Sequence, residues 1–444
     1  MSRSSSSHEG HEGASEPVRT AVGHGLAWLV FGNALGVMIA ILLLLPGLNT
    51  LLGEWTYGRW MMVHMNTALY GWCSLPMLAF LFRAYGVEKV SAARWARPVV
   101  WLWSGALVIG SVSWLQGRSS GKLFLDWQGY ARVLFVVALL GLWLLLAVSF
   151  VANRDEREIA RGGKVLKLVG LLVLLAVPFA IYAASSPGVY PAVNPDTGGP
   201  TGESQLESSL GVVLILLLLP FGIARRVMGQ GRTIVLSWAL LAAEGVLCGM
   251  LSRADVSHHR PSQYLALGTM VIWLPVMPRY YRAFTWNAST RRWRTATLWW
   301  WGGLVITGWV LFLPGALDRV KFTDVLVGHS LAAVAGFLSA MLALVMVQLL
   351  GDDDAWILNR SWSFHLWNWG VLAYVVVMAI AGWMEAQDPG FTIVAGAARE
   401  VLYVLRLITG LMMLAASMEW LVAAFHLPSR TAVPQLQERG VKVA

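Results

Sequence analysis

Residues 55–83 read W-T-Y-G-R-W-M-M-V-H-M-N-T-A-L-Y-G-W-C-S-L-P-M-L-A-F-L-F-R. The stretch is apolar on nearly every side and long enough to cross a bilayer, which takes about 20 residues as an α-helix. One ionisable side chain, His64, sits about a turn and a half past Tyr57 and Arg59, where the apolar run begins. Taken alone, such a histidine is more often bonded to a neighbouring helix than to a metal. An ionisable group inside a membrane segment is nonetheless costly, which makes it a candidate functional residue.

The composition extends this reading to the whole chain. Of 444 residues, 57% are hydrophobic and 13% charged, against about 25% charged in soluble proteins. Mean hydropathy is +0.61. The expected fold class is all-α: a polytopic membrane protein built as a single twelve-helix bundle. The net charge of +9 would point to nucleic acid in a soluble chain, but here Lys and Arg cluster in particular loops, so topology explains it and no nucleic acid is implied. The two cysteines, Cys73 and Cys248, lie in apolar runs and give no basis for a disulfide or a thiolate cluster.

Residues 1–20 carry Ser, Gly, His and Glu with no apolar face and read as a disordered cytoplasmic tail. Their H-E-G-H-E stretch lacks the i, i+4 histidine pair that puts two ligands on one helix face. The membrane domain is expected over 21–426, followed by a cytoplasmic tail at 427–444. Its spans are placed at 21–49, 58–83, 98–116, 130–152, 165–185, 208–226, 233–252, 262–282, 296–316, 325–350, 363–384 and 399–426. Only the 186–207 connection is long, and it is rich in Pro and Gly.

Loop charge sets the orientation. The loops after the second, fourth, sixth and eighth spans hold Arg83/Lys89/Arg94/Arg97, Arg154/Arg157/Arg161/Lys164, Arg225/Arg226/Arg232 and Arg291/Arg292/Arg294. The intervening loops hold fewer basic residues and include Asp196, Glu203, Glu207, Glu385 and Asp388. The positive-inside rule then puts both termini in the cytoplasm, as an even number of spans requires.

With that topology, His64, His329, the adjacent pair His258–His259 and Glu207 fall at similar depth in the outer part of the membrane. His365 and His426 fall at the inner side. A layer of histidines from several helices is what a haem or metal bundle needs, since imidazole ligates haem iron, copper and non-haem iron. The pair in isolation also reads as ordinary interfacial residues. Glu244 and Glu419 are further intramembrane acids, equally suited to a proton path or to a bond with a neighbouring helix.

These features resemble subunit I of the haem–copper oxidase superfamily, nearest the cbb-type cytochrome c oxidases and the nitric oxide reductases. The motifs are Y-G-R-W-M-M-V-H-M-N-T-A-L-Y-G-W, the H-H pair before a Pro-containing helix start, T-D-V-L-V-G-H-S-L-A-A-V-A-G-F, F-H-L-W-N-W-G and Y-V-L-R-L-I-T-G. The resemblance implies that His64 is an axial ligand of a low-spin haem and that His329 is the first histidine of an H-x-H motif, binding a high-spin haem. It makes His258 and His259 ligands of a non-haem metal, copper or iron. Arg406 corresponds to an arginine near haem propionates. It further implies haem b, a cytochrome c-type electron-donor partner, a bacterial inner membrane with its lipid, and reduction of nitric oxide or oxygen.

Three departures bear on that expectation. Leu331 stands where the second histidine of H-x-H would be. The sixth-span histidine of the metal site is missing, and an ungapped count lands near Glu207, with Gln205 and Glu203 close by. Ser252 stands where the cbb-type oxidases carry a redox tyrosine. Beside the enzyme, two other readings stand: a haem-poor structural or electron-relay subunit of a respiratory complex, and a transporter. The transporter lacks its sequence pointer, matched short or Gly/Pro-interrupted spans in the two halves.

Overall fold

The computed structural model describes residues 14–154, 161–193, 205–251, 259–394 and 396–427. The helical rods in chain order are α1 (Glu16–Leu44), α2 (57–85), α3 (Ala96–Leu115), α4 (Gly129–Ala152), α5 (Arg161–Ala184), α6 (Gln205–Ile223), α7 (Gly231–Leu251), α8 (261–282), α9 (Arg291–Leu311), α10 (324–354), α11 (Ser361–Gln387) and α12 (Ala397–Phe425). α1 begins at Glu16, five residues before the expected start, because Pro17 fits a first helical turn and Glu16 complements the helix dipole there.

Nine of these rods, among the described residues, are long and apolar enough to cross a membrane. The chain is an all-helical polytopic membrane protein, apart from a two-residue ladder pairing β1 (Arg225–Arg226) with β2 (Phe284–Thr285). The other three rods depart from a plain apolar helix. α2 is broken by a π-helical segment at Ala68–Cys73, and α8 by a 3₁₀ segment at Thr269–Ile272. α9 opens on Arg291, Arg292 and Arg294 and fills its body with tryptophan, whose N–H lowers its hydropathy.

Side chains stitch the loops into two opposite ends. At one end Ser15 donates to Glu88, Arg19 pairs with Asp354, β1 pairs with β2, Asn359 donates to the Ser289 carbonyl, and Arg360 pairs with Glu419. At the other, Arg59 donates to the Leu115 carbonyl, Gln128 to that of Ser185, and the Asp324 amide to Glu385. The described basic residues of the loops named above fall at the first end.

α10 runs through the middle of the bundle. Every residue from Ser339 to Val347 is buried, while α5 has only 11% of its apolar window buried and lies at the periphery. α1 packs against α2 and α12, α11 against α12 and the start of α10, and α4 between α3 and α5.

Labelling tests which end faces out. Native Cys73 and Cys248 are buried, so cysteines placed at exposed Gly188 and Ala288 report cleanly. With the basic end inside, a membrane-impermeant maleimide applied to intact cells labels Gly188→Cys and spares Ala288→Cys; the reverse pattern overturns the orientation.

Candidate functional site

His64 lies two turns into α2, and its Nδ1 is 2.8 Å from the Gly32 carbonyl of α1. That bond requires Nδ1 to carry the proton, which leaves the Nε2 lone pair for a ligand. It is the arrangement metal-bound histidines adopt, because a backbone acceptor fixes both tautomer and ring orientation. The ring lies over Gly36, where a Cβ would stand 3.1 Å from His64 Cε1.

His329 is set the same way in α10. Its Nδ1 is 3.3 Å from Thr307 Oγ1 of α9, and its ring lies over Gly308, where a Cβ would stand 3.5 Å from Cε1. The likeness is systematic. His64 is followed by Gly71-Trp72-Cys73-Ser74, and His329 at the same spacing by Gly336-Phe337-Leu338-Ser339. Both glycines lie in π-helical segments, Ala68–Cys73 and Ala332–Leu338. A Cβ on Gly71 would come within 2.6 Å of Trp28, and one on Gly336 within 2.6 Å of Trp300. Trp28 precedes Gly36, and Trp300 precedes Gly308, by the same interval.

The π segments displace backbone bonds, and a serine repairs each. Ser74 Oγ donates to the Leu69 carbonyl at 3.0 Å, and Ser339 Oγ to that of Val334 at 2.8 Å. Trp72 Nε1 then donates to Ser339 Oγ at 2.8 Å, linking the two segments. Single π-turns inside α-helices cluster at functional sites, and here each follows one of the two histidines. Sequence reasoning missed this pairing, although His-x₆-Gly-aromatic-x-Ser is written twice in the chain.

Arg406 of α12 is 8% exposed. Its Nη1 is 3.7 Å from Asp324 Oδ2, its guanidinium lies over the Tyr374 ring, and its Nε has no hydrogen-bond partner. His64 and Tyr57 lie within electrostatic reach of it. Asp324 and Tyr374 were not singled out from sequence, and Glu385, read there as a loop acid, lies in α11. The usable signal was Thr323-Asp324, where Thr323 Oγ1 accepts from the Val325 amide and caps α10.

The residues expected at a second metal are not gathered in the same way. His258, Ser252 and Glu203 lie outside the described residues. His259 is 62% exposed and turns Nε2 toward Asp318, 3.4 Å away. Glu207 is exposed on the first turn of α6. Among the described residues no group of three or more His, Cys, Asp or Glu is placed to hold a metal ion. Of the other acids, Glu419 pairs with Arg360, and Glu244 accepts from Trp273 Nε1 at 2.6 Å while its Oε1 stays unpartnered.

The arrangement suits a haem better than a second metal. His64 and His329 each offer one oriented imidazole, and the unpartnered Nε of Arg406 suits a carboxylate acceptor. Leu331 has no lone pair and packs partly buried against the core, so these residues do not fit a haem held by two histidines at His64.

No protein-family model matches the chain. It is 23% identical to cytochrome c oxidase subunit 1 of Rhodobacter capsulatus, over 90% of this chain and 82% of that protein. It is 22% identical to a cytochrome c oxidase subunit 1 homolog of Agrobacterium tumefaciens (strain T37), over 97% of this chain and 86% of that protein.

Proposed function

Because the chain is a distant homologue of cytochrome c oxidase subunit 1, in the haem–copper oxidase superfamily, we propose that it is the subunit I-like membrane component of a respiratory terminal reductase. It reduces nitric oxide or oxygen with electrons from a cytochrome c partner, in a bacterial inner membrane with both termini in the cytoplasm. Its helices cross the bilayer twelve times, with α2, α8 and α9 included. The observation that carries the reading is the shared setting of His64 and His329, each with Nδ1 engaged by the preceding helix.

In this reading His329 would hold haem b and His64 would serve a second haem, each with Nδ1 engaged by the preceding helix. Haem iron supplies one-electron chemistry when bound. Arg406, ion-paired with Asp324 and with a free Nε, would hold a propionate carboxylate. Gly36 and Gly308 let the two imidazole rings pack close against the preceding helices. His258, His259 and Glu207 are the candidates to hold a non-haem iron or copper.

Leu331 and the scattering of His259 and Glu207 favour a second reading, a haem-poor subunit that relays electrons or supports a respiratory complex without catalysis. A pyridine-haemochrome assay with metal analysis on the purified chain separates the two. The reductase gives at least one haem b and one iron or copper beyond haem iron per chain; neither group is found for the haem-poor subunit.

Leu331 makes a sharper prediction. At 3.6 residues per turn, positions 329 and 331 are about 200° apart around the helix, so His329 cannot stand in for residue 331. Electron paramagnetic resonance of the oxidised wild type should lack a low-spin bis-imidazole signal, and Leu331→His should introduce one. A bis-imidazole signal already present in the wild-type chain overturns the assignments of His64 and His329 together.

A further inference from the structure

At the basic end, α9 and α11 both pack on the π-helical segment of α10 and leave a groove of about 610 Å³ between them. Trp300, seated against Gly336, forms part of its floor. The mouth carries Arg291, Arg292 and His365, and the deeper walls carry Trp299, Trp369 and Leu372. Arg291 and Trp299 are eight residues apart on one helix, or about 12 Å along its axis. From mouth to depth the lining therefore passes from cationic to aromatic to aliphatic.

The charges at the mouth are not neutralised within the fold. No carboxylate lines the groove, and among the described residues neither Arg291 nor Arg292 has an ion-pair partner. Arg292 spends one N–H on the Asn359 carbonyl. Asn368 is already engaged, accepting from Trp300 Nε1 and donating to the Phe364 carbonyl, so it adds little polarity to the walls. The N-termini of α9 and α11 open at the same level and add positive potential. Trp299 and Trp369 are 63% and 61% exposed, far more than rings placed for core packing.

We propose that this groove binds an anionic phospholipid of the leaflet at the basic end, its phosphate on Arg291 and Arg292 and its acyl chain along Trp299, Trp369 and Leu372. Basic pockets between helices on the positive-inside face recognise acidic headgroups in this way. The gradient along the groove matches that of a phospholipid, with the phosphate outermost and the hydrocarbon inward. A quinone, neutral at its head, would leave two guanidinium groups without a counter-charge. The site lies at the end of the bundle opposite His64 and His329 and is independent of any haem.

Native mass spectrometry of the full-length chain in detergent tests this, with dioleoylphosphatidylglycerol and dioleoylphosphatidylcholine titrated separately. Wild type retains the anionic lipid in preference to the zwitterionic one. Arg291→Gln/Arg292→Gln weakens retention of phosphatidylglycerol about tenfold, toward the phosphatidylcholine level. Arg291→Gln alone, which leaves the Arg292–Asn359 bond in place, produces a smaller loss in the same direction. Trp299→Ala also weakens retention with every charge intact, which simple surface adsorption does not require. Arg225→Gln/Arg226→Gln removes the same charge from an exposed ladder at the same end and leaves retention unchanged. Equal losses from the two double variants would reduce the effect to diffuse charge and overturn the site. So would unchanged retention in Arg291→Gln/Arg292→Gln, or displacement of phosphatidylglycerol by an equal concentration of decylubiquinone.

Discussion

His329→Ala removes one haem b per chain in the pyridine-haemochrome assay, together with the high-spin absorbance of the oxidised protein. No other histidine lies on α10, and the position of His329 is set from outside that helix by Thr307 and Gly308 of α9. A neighbouring side chain therefore cannot swing in to replace it. His329→Gly with added imidazole should restore part of the absorbance, since the cavity left would admit the free ligand. His365→Ala is the control, because that residue lies at the opposite end of the bundle and should leave haem content unchanged. Wild-type haem content in His329→Ala would sink the reductase reading.

The second large effect is purely steric. Gly382 of α11 lies so close to the start of α10 that a Cβ there would stand 2.1 Å from the Val325 amide nitrogen and 2.7 Å from the Asp324 carbonyl carbon. Those are backbone atoms, which cannot rotate away, so Gly382→Ala must push α11 off α10. Overpacking typically costs about 1–3 kcal/mol, and sometimes more. The displacement also reaches Glu385, one turn on, which accepts the Asp324 amide at 2.6 Å beside Arg406. Thermal unfolding in detergent should show a drop of several degrees and a loss of folded yield. Gly245→Ala has nothing within 4 Å of its added methyl and should be neutral or slightly stabilising, as alanine favours helix over glycine by roughly 0.5–1 kcal/mol. If both variants melt alike, the close approach of α10 and α11 is wrong.

The helical membrane character was legible because bilayer burial writes itself into composition and run length, and the 55–83 stretch alone carries it. Rod positions lie within five residues of the expected spans; α1 and α9 are each displaced by five toward the N-terminus, α1 starting early because Pro17 can open a helix before the apolar run begins. The π segments were not legible from hydrophobic pattern. One extra residue in a turn leaves composition untouched, and its trace is the relation between Gly71 or Gly336 and a tryptophan on another helix. The site was legible as a layer of histidines with Arg406, but not as the contacts that set them. What His64 bonds to depends on a carbonyl 32 residues earlier, and the Asp318 partner of His259 sits in the short turn Ala316–Val320, far along the chain. The acid beside Arg406 was missed because Asp324 reads as an ordinary helix-start residue.

The paired Trp-on-Gly contacts also bear on mutational drift. They constrain Gly71 and Gly336, the serines that repair the π segments, and the glycines under the imidazoles. They place no demand on residue 331. A leucine there joins the apolar packing, whereas an unliganded histidine would be a buried polar group needing a partner. Selection on folding alone therefore favours the leucine, and only use of a second axial nitrogen opposes it. A lineage that stopped using that nitrogen would lose it without a penalty in stability while both histidine-bearing helix pairs stayed intact.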